Sequence, residues 1–185
     1  MLRSNSCCLM PERDVGTVLL AKKDSELVIY SLLSDNPSLL QDIVRNCYPK
    51  TIFIPMEPPY FPMFEDLVEI THIAAFFRAE NCLRLLDRFG YCSQHQNGHI
   101  LTSAHFAAAN NFVRFFECYD FSADAILLFE GEEVTVVHMA CISGSIDVLN
   151  YFASIGINFS FRTKHFIHPI FAAAKYNQID VLEFF

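Results

Sequence analysis

Three histidines, His72, His105 and His138, recur at intervals of 33 residues. Imidazole titrates near neutrality and ligates metals, so a histidine series can carry acid–base chemistry or hold an ion. The equal spacing argues for a different role. It sets the rings one structural unit apart, and each is expected to bond a nearby hydroxyl or backbone group and fix a loop-to-helix turn. Cys92, His95 and His99 form a C-x2-H-x3-H cluster beside the Asn97-Gly98 turn. Cysteine and histidine suit zinc, but a fourth ligand is lacking and the spacing fits no zinc signature, so the expectation is a solvated hairpin tip without metal. Cys141 follows His138 by three residues, as in a thiol–imidazole pair. A column of small residues accounts for Cys141 as core instead. No P-loop, GxGxxG, HExxH or GxSxG motif occurs. The expectation is a chain with no catalytic residues, no cofactor and no metal.

The elements behind those histidines keep the same step. Two residues after the histidine column stand Ala74, Ala107, Ala140 and Ala173, then Ala75, Ala108, Cys141 and Ala174. Beyond a polar or glycine position (Arg78, Asn111, Gly144, Asn177) come Leu83, Phe116, Leu149 and Leu182, then Leu86, Tyr119, Phe152 and Phe185. Gly98 and Gly131 also lie one period apart. A fixed period of this length marks a repeat architecture, with units 69–101, 102–134, 135–167 and a partial 168–185. Each unit reads as a short helix, a break and a second helix carrying large apolar residues. The paired small residues let a neighbouring helix approach closely, and Gly156 reads as a helix stop.

Before the array, residues 1–13 read as a loose tail and residues 15–34 as helix-prone, with Leu27, Tyr30 and Leu33 sharing one face. Asn36-Pro37 is a helix start, Asn as N-cap and Pro in the first turn. Leu39, Leu40, Ile43, Val44 and Cys47 continue as an apolar stripe. Pro49, Pro55, Pro58, Pro59 and Pro62 forbid a helix over 49–62, while Ile52, Phe53, Ile54, Tyr60 and Phe61 point to an extended segment lying against the helices. Pro59 and Pro62 have PxxP spacing, which we read as a packed connector rather than an SH3 ligand.

Thr135-Val136-Val137-His138-Met139-Ala140 and Thr102-Ser103-Ala104-His105-Phe106-Ala107 resemble the T-P-L-H-x-A motif of the ankyrin repeat. His72-Ile73-Ala74-Ala75 and Pro169-Ile170-Phe171-Ala172-Ala173 supply parts of it. The resemblance covers residues 69–185. It departs from the family in three copies without Pro, in Phe171 for His, and in Glu69 and His168 for the opening Thr. It implies an all-α ankyrin-repeat solenoid of helix-turn-helix units with hairpin-like loops, preceded by a helical N-terminal region over 1–68. It further implies protein–protein recognition on a concave face, which is a functional analogy.

The residues early in each unit that vary beside constant columns include Phe77, Asn110, Ser143 and Tyr176. Loop tips add His99, Glu132, Lys164 and His165. These eight are the expected partner-binding residues, with Phe77 and Tyr176 as aromatic anchors. Leu182, Phe184 and Phe185 read as apolar residues awaiting a further unit or a partner, hence the expectation of a partial chain. The net charge is −8, and acidic side chains outnumber basic ones both before and after residue 68, which argues against nucleic acid as partner. Seven cysteines without a CxxC pair, no signal peptide and no long apolar run give reduced thiols, a cytoplasmic or nuclear location and no membrane span. The function expected is a non-catalytic scaffold or adaptor that binds a protein partner. The alternative is the regulatory ankyrin portion of a larger enzyme or ubiquitin-ligase adaptor.

Overall fold

A computed structural model describes residues 17–47, 51–55, 67–91, 102–129, 131–160, 162–164 and 168–185. Helices dominate it. In chain order these are β1 (Thr17–Leu19), α1 (Lys22–Leu33), α2 (Pro37–Cys47), β2 (Thr51–Pro55), β3 (Leu67–Glu69), α3 (Ile70–Phe76), α4 (Glu80–Arg88), α5 (Ser103–Ala109) and α6 (Val113–Cys118). There follow β4 (Leu127–Phe129), β5 (Glu132–Val134), α7 (Val136–Ser143), α8 (Ile146–Ser154), α9 (Pro169–Lys175) and α10 (Ile179–Phe184).

The helices come in pairs, and the pairs stack. Helix α3 packs on α5, α5 on α7 and α7 on α9, while α6 meets α8 and α8 meets α10. Small side chains permit this: Ala74, Ala75, Ala107, Ala108, Ala140, Cys141 and Ala173 are all fully buried. Large residues of the second helices fill the space beneath, with Leu83, Leu86, Phe116, Leu149 and Phe152 buried. In the last pair three of these columns lie open, with Leu182, Phe185 and Ala174 exposed, while Ala173 stays buried.

Each pair turns through one left-handed residue. Arg78, Asn111 and Asn177 have φ of 59°, 52° and 57°, and Gly144 has 72°. This is the polar-or-glycine column of the sequence, where Asn and Gly best tolerate positive φ. The residue after each turn donates its N–H back to the first helix, as in Ala79→Ala74, Phe112→Ala107, Ser145→Ala140 and Gln178→Ala173.

The N-terminal pair α1–α2 makes the same turn. Asp35 has φ of 46°, and Asn36 N–H returns to the Ser31 carbonyl. Asn36 Oδ1 accepts from Ser38 N–H at 3.1 Å, so Asn36 caps α2 and Pro37 opens it. Helix α2 packs on α4 and α1 on α3.

Two features of this region correct the sequence reading. Residues Thr17–Leu19 are a strand, and the helix begins only at Lys22. The Leu27, Tyr30 and Leu33 face is solvent-exposed; the buried face of α1 is Ser25, Val28, Ser31 and Leu32. Serine can face the core because its hydroxyl bonds a backbone carbonyl of its own helix: Ser31 reaches Val28 at 2.7 Å and Ser25 reaches Ala21 at 3.0 Å.

Small sheets supplement the helices. Strand β2 pairs in parallel with β1 and antiparallel with β3, Phe53 standing opposite Glu69. The proline-rich stretch is therefore extended at Thr51–Pro55, and Ile52 and Ile54 are fully buried. Strands β4 and β5 form a hairpin turning at Gly131, whose φ is 78°. The expected tail 1–13, the Pro59 and Pro62 pair, and the Cys92, His95 and His99 cluster lie outside the described residues.

Candidate interaction face

The expected reading residues fall at one place in each pair. Phe77, Asn110 and Tyr176 are the C-cap residues of α3, α5 and α9, and Ser143 ends α7. Because the pairs stack in phase, these four form a row just before the left-handed turns. All four are half-buried. Phe77 meets Phe76 edge-on, with centroids 5.5 Å apart. Tyr176 carries the Lys175 ammonium 5.5 Å above its ring.

Not all of the row faces outward. Asn110 Nδ2 donates to the Phe76 carbonyl of the preceding pair, so its amide is engaged within the stack. Glu132, at the start of β5, binds Lys175 Nζ at 2.5 Å. Glu133 accepts from the Lys164 backbone N–H at 2.9 Å. The acidic tip is thus tied to the following loop and to α9. That tie brings Glu132, Lys175 and Tyr176 onto one face, so the hairpin tip and the first helices border a common surface. Lys164 is exposed. His99 and His165 lie outside the described residues.

Sequence reasoning overlooked a second set of contacts at the turns. Asp35 Oδ1 accepts from Cys82 N–H at 3.0 Å, and its Oδ2 from Asn81 N–H at 3.2 Å. The N-terminal turn therefore caps α4. Asn111 repeats this on α8: its Oδ1 accepts from Val148 N–H at 3.0 Å, and its Nδ2 donates to Asp147 at 2.7 Å. Between these seams the contact runs backward. Asn110 reaches Phe76 O, and Gln178 Nε2 reaches Ile142 O at 2.8 Å. The polar character of Asn111 and Asn177 was visible in the chain, but which seam each residue bridges depends on the stacking register.

Two of the three in-phase histidines, His105 and His138, bond the threonine that opens their helix, whereas at His72 that place holds Glu69, whose Oε2 stands 4.0 Å from the ring. Thr102 Oγ1 lies 2.9 Å from His105 Nδ1, and Thr135 Oγ1 lies 2.8 Å from His138 Nδ1. His138 N–H also donates to Thr135 Oγ1, closing a capping box. Burial, aided by the nearby His72, pushes His105 down to about 3, so its ring is neutral. Cys141 is fully buried and its thiol is pushed up to about 12 by desolvation, which suits packing and not nucleophilic attack. Among the described residues no group of three or more His, Cys, Asp or Glu is placed to hold a metal. Among them, too, no helix is long and apolar enough to cross a membrane.

No protein-family model matches the chain, and no curated protein matches it in sequence.

Proposed function

We propose that this chain is an ankyrin-repeat solenoid that works as a non-catalytic protein-binding module. What supports the reading is the row Phe77, Asn110, Ser143 and Tyr176. Its side chains change from pair to pair, while the alanine and histidine columns beside it barely change. Repeated backbone with one varied row is how stacked units present a partner-reading surface. Phe77 and Tyr176 are the anchors, because half-buried aromatic side chains supply large contact area at low entropic cost. Asn110 and Glu132 act within the stack, and Lys164 is the exposed charge left to steer association.

The test begins with affinity capture and mass spectrometry to identify a partner. Its binding is then measured against Phe77→Ala and Tyr176→Ala. Each variant should stay folded by circular dichroism and bind about tenfold more weakly, as expected for loss of an anchor worth more than about 1 kcal/mol. Lys164→Glu should alter mainly the association rate and its salt dependence. Folded variants that bind as tightly and as fast as the parent would overturn the assignment of this face.

A further inference from the structure

Strand β3 and helix α3 meet at a buried ionisable cluster that the interaction face does not use. Glu69 ends β3 and is the N-cap residue of α3, the place taken by Thr102 and Thr135 in the next two pairs. Its side chain is 1% exposed. Oε1 accepts from the Thr71 hydroxyl at 2.9 Å. Oε2 has no hydrogen-bond partner among the described residues and stands 4.0 Å from His72 Nε2. The His72 ring lies flat on Phe106 of α5, with centroids 5.1 Å apart. His105, also on α5, is near enough that charge on His72 opposes charge on its own ring. A carboxyl and two imidazoles therefore occupy the seam between the sheet, α3 and α5. The buried side chains of α1 and β2 bring no ionisable group among the described residues. Helix α4 adds the Cys82 thiol, which points instead at the Ser31 carbonyl, 3.5 Å away.

We propose that Glu69 and His72 form a proton-operated latch holding the three-stranded sheet to the first stacked pair, closed while the Glu69 carboxyl keeps its proton and loosened when that proton leaves to solvent. A neutral carboxyl is cheap to bury. A carboxylate with one oxygen lacking a donor is costly, and opening the seam returns it to water. Desolvation lifts Glu69 to about 7 despite the Thr71 bond that lowers it, so the proton departs in the neutral range. His105 is neutral there and offers no counter-charge. An acid whose folded value lies above its unfolded value stabilises the closed form at low pH. That stability is lost as pH rises through the folded value.

The test is amide hydrogen exchange of the full chain at pH 6 and pH 8, corrected for intrinsic rates, with α7 of the same molecule as reference. Opening of β3 and α3 should increase about tenfold between the two pH values, the factor that two coupled protonation equilibria impose over this range. In Glu69→Gln, which keeps shape and loses ionisation, the increase should vanish. An increase in the parent no larger than in Glu69→Gln would overturn the latch. So would a carbon-13 titration of the parent placing Glu69 near the ordinary 4.5, a result that does not depend on the variant folding. Proton capture by His72 would make an ion pair that stays shut at pH 8, and the same flat exchange profile would expose it.

Discussion

His105 illustrates how much one buried ring contributes. Its Nδ1 is matched to Thr102 Oγ1, and its Nε2 lies buried with no hydrogen-bond partner among the described residues. The neutral ring suits this site and the charged ring does not. The folded value of about 3 lies below the ordinary 6.5, so as pH falls through 6.5 the unfolded chain takes up a proton that the folded chain refuses. Stability from this residue is full above pH 6.5 and is lost progressively toward pH 3. The expected loss between pH 7 and pH 4 is about 2–3 kcal/mol. His105→Gln should lose less over the same interval, measured by urea unfolding at each pH. Glu69 acts with opposite sign between 4.5 and 7, so the comparison is sharpest in a Glu69→Gln background. At this scale the sequence was partly readable. The 33-residue period foretold the turn-fixing bonds that His105 and His138 make. The engagement of Asn110 and Glu132 was not readable, because their partners Phe76 and Lys175 are 34 and 43 residues away in the chain.

A helix end costs stability when its first N–H groups lack partners, and here one pair supplies the partners of the next. Asn111 carries two duties, a left-handed backbone and a cap on α8. Replacement separates them. Asn111→Gly keeps the backbone and removes the cap, for about 0.5–2 kcal/mol. Asn111→Ala adds the strain of a left-handed alanine, about 1 kcal/mol more. Chemical denaturation should therefore rank the parent above glycine and glycine above alanine. The small-residue columns give a second contrast. Ala140→Leu places extra methylenes where α7 is packed between α5 and α9 and should cost about 1–3 kcal/mol. Ala174→Leu, one column over and exposed in the last pair, should change stability by less than about 0.5 kcal/mol. Equal effects on melting would remove both residues from their assigned faces. The helices were legible because alanine columns and turn residues repeat in phase. Strands β1 and β3 were not, since three residues carry no measurable alternation. The α1 face was misread because Ser25 and Ser31 look polar on paper and are satisfied by their own backbone.

Among the described residues each helix pair packs mainly on its neighbours, the Glu132–Lys175 ion pair reaching past one of them, so local stability should follow position in the stack. Helices α5 and α7 are covered on both sides; α10 packs on α8 and α9, with Phe184 meeting Phe159 edge-on, and has no described helix beyond it. Amide protection is expected to be highest in α5 and α7 and to fall toward α10. Uniform protection along the chain would contradict nearest-neighbour coupling. The turn contacts add a rule of assembly to this picture. They alternate in direction: Asp35 reaches forward to α4, Asn110 reaches back to Phe76, Asn111 forward to α8, and Gln178 back to Ile142. At the turn residues the seams are thus of two kinds laid down in turn, although elsewhere Tyr151 Oη and Cys82 Sγ reach back to the Phe116 and Ser31 carbonyls across the forward seams. Cutting out one pair would bring Arg78 to the end of α8, where Asn111 now sits. Cutting out two would bring Asp35 there; its carboxylate can take the Val148 N–H, but it would face the Asp147 carboxylate to which Asn111 now donates. Excising one pair or two therefore leaves a seam to be rewritten, so the stacked pairs are similar in backbone and yet not interchangeable parts.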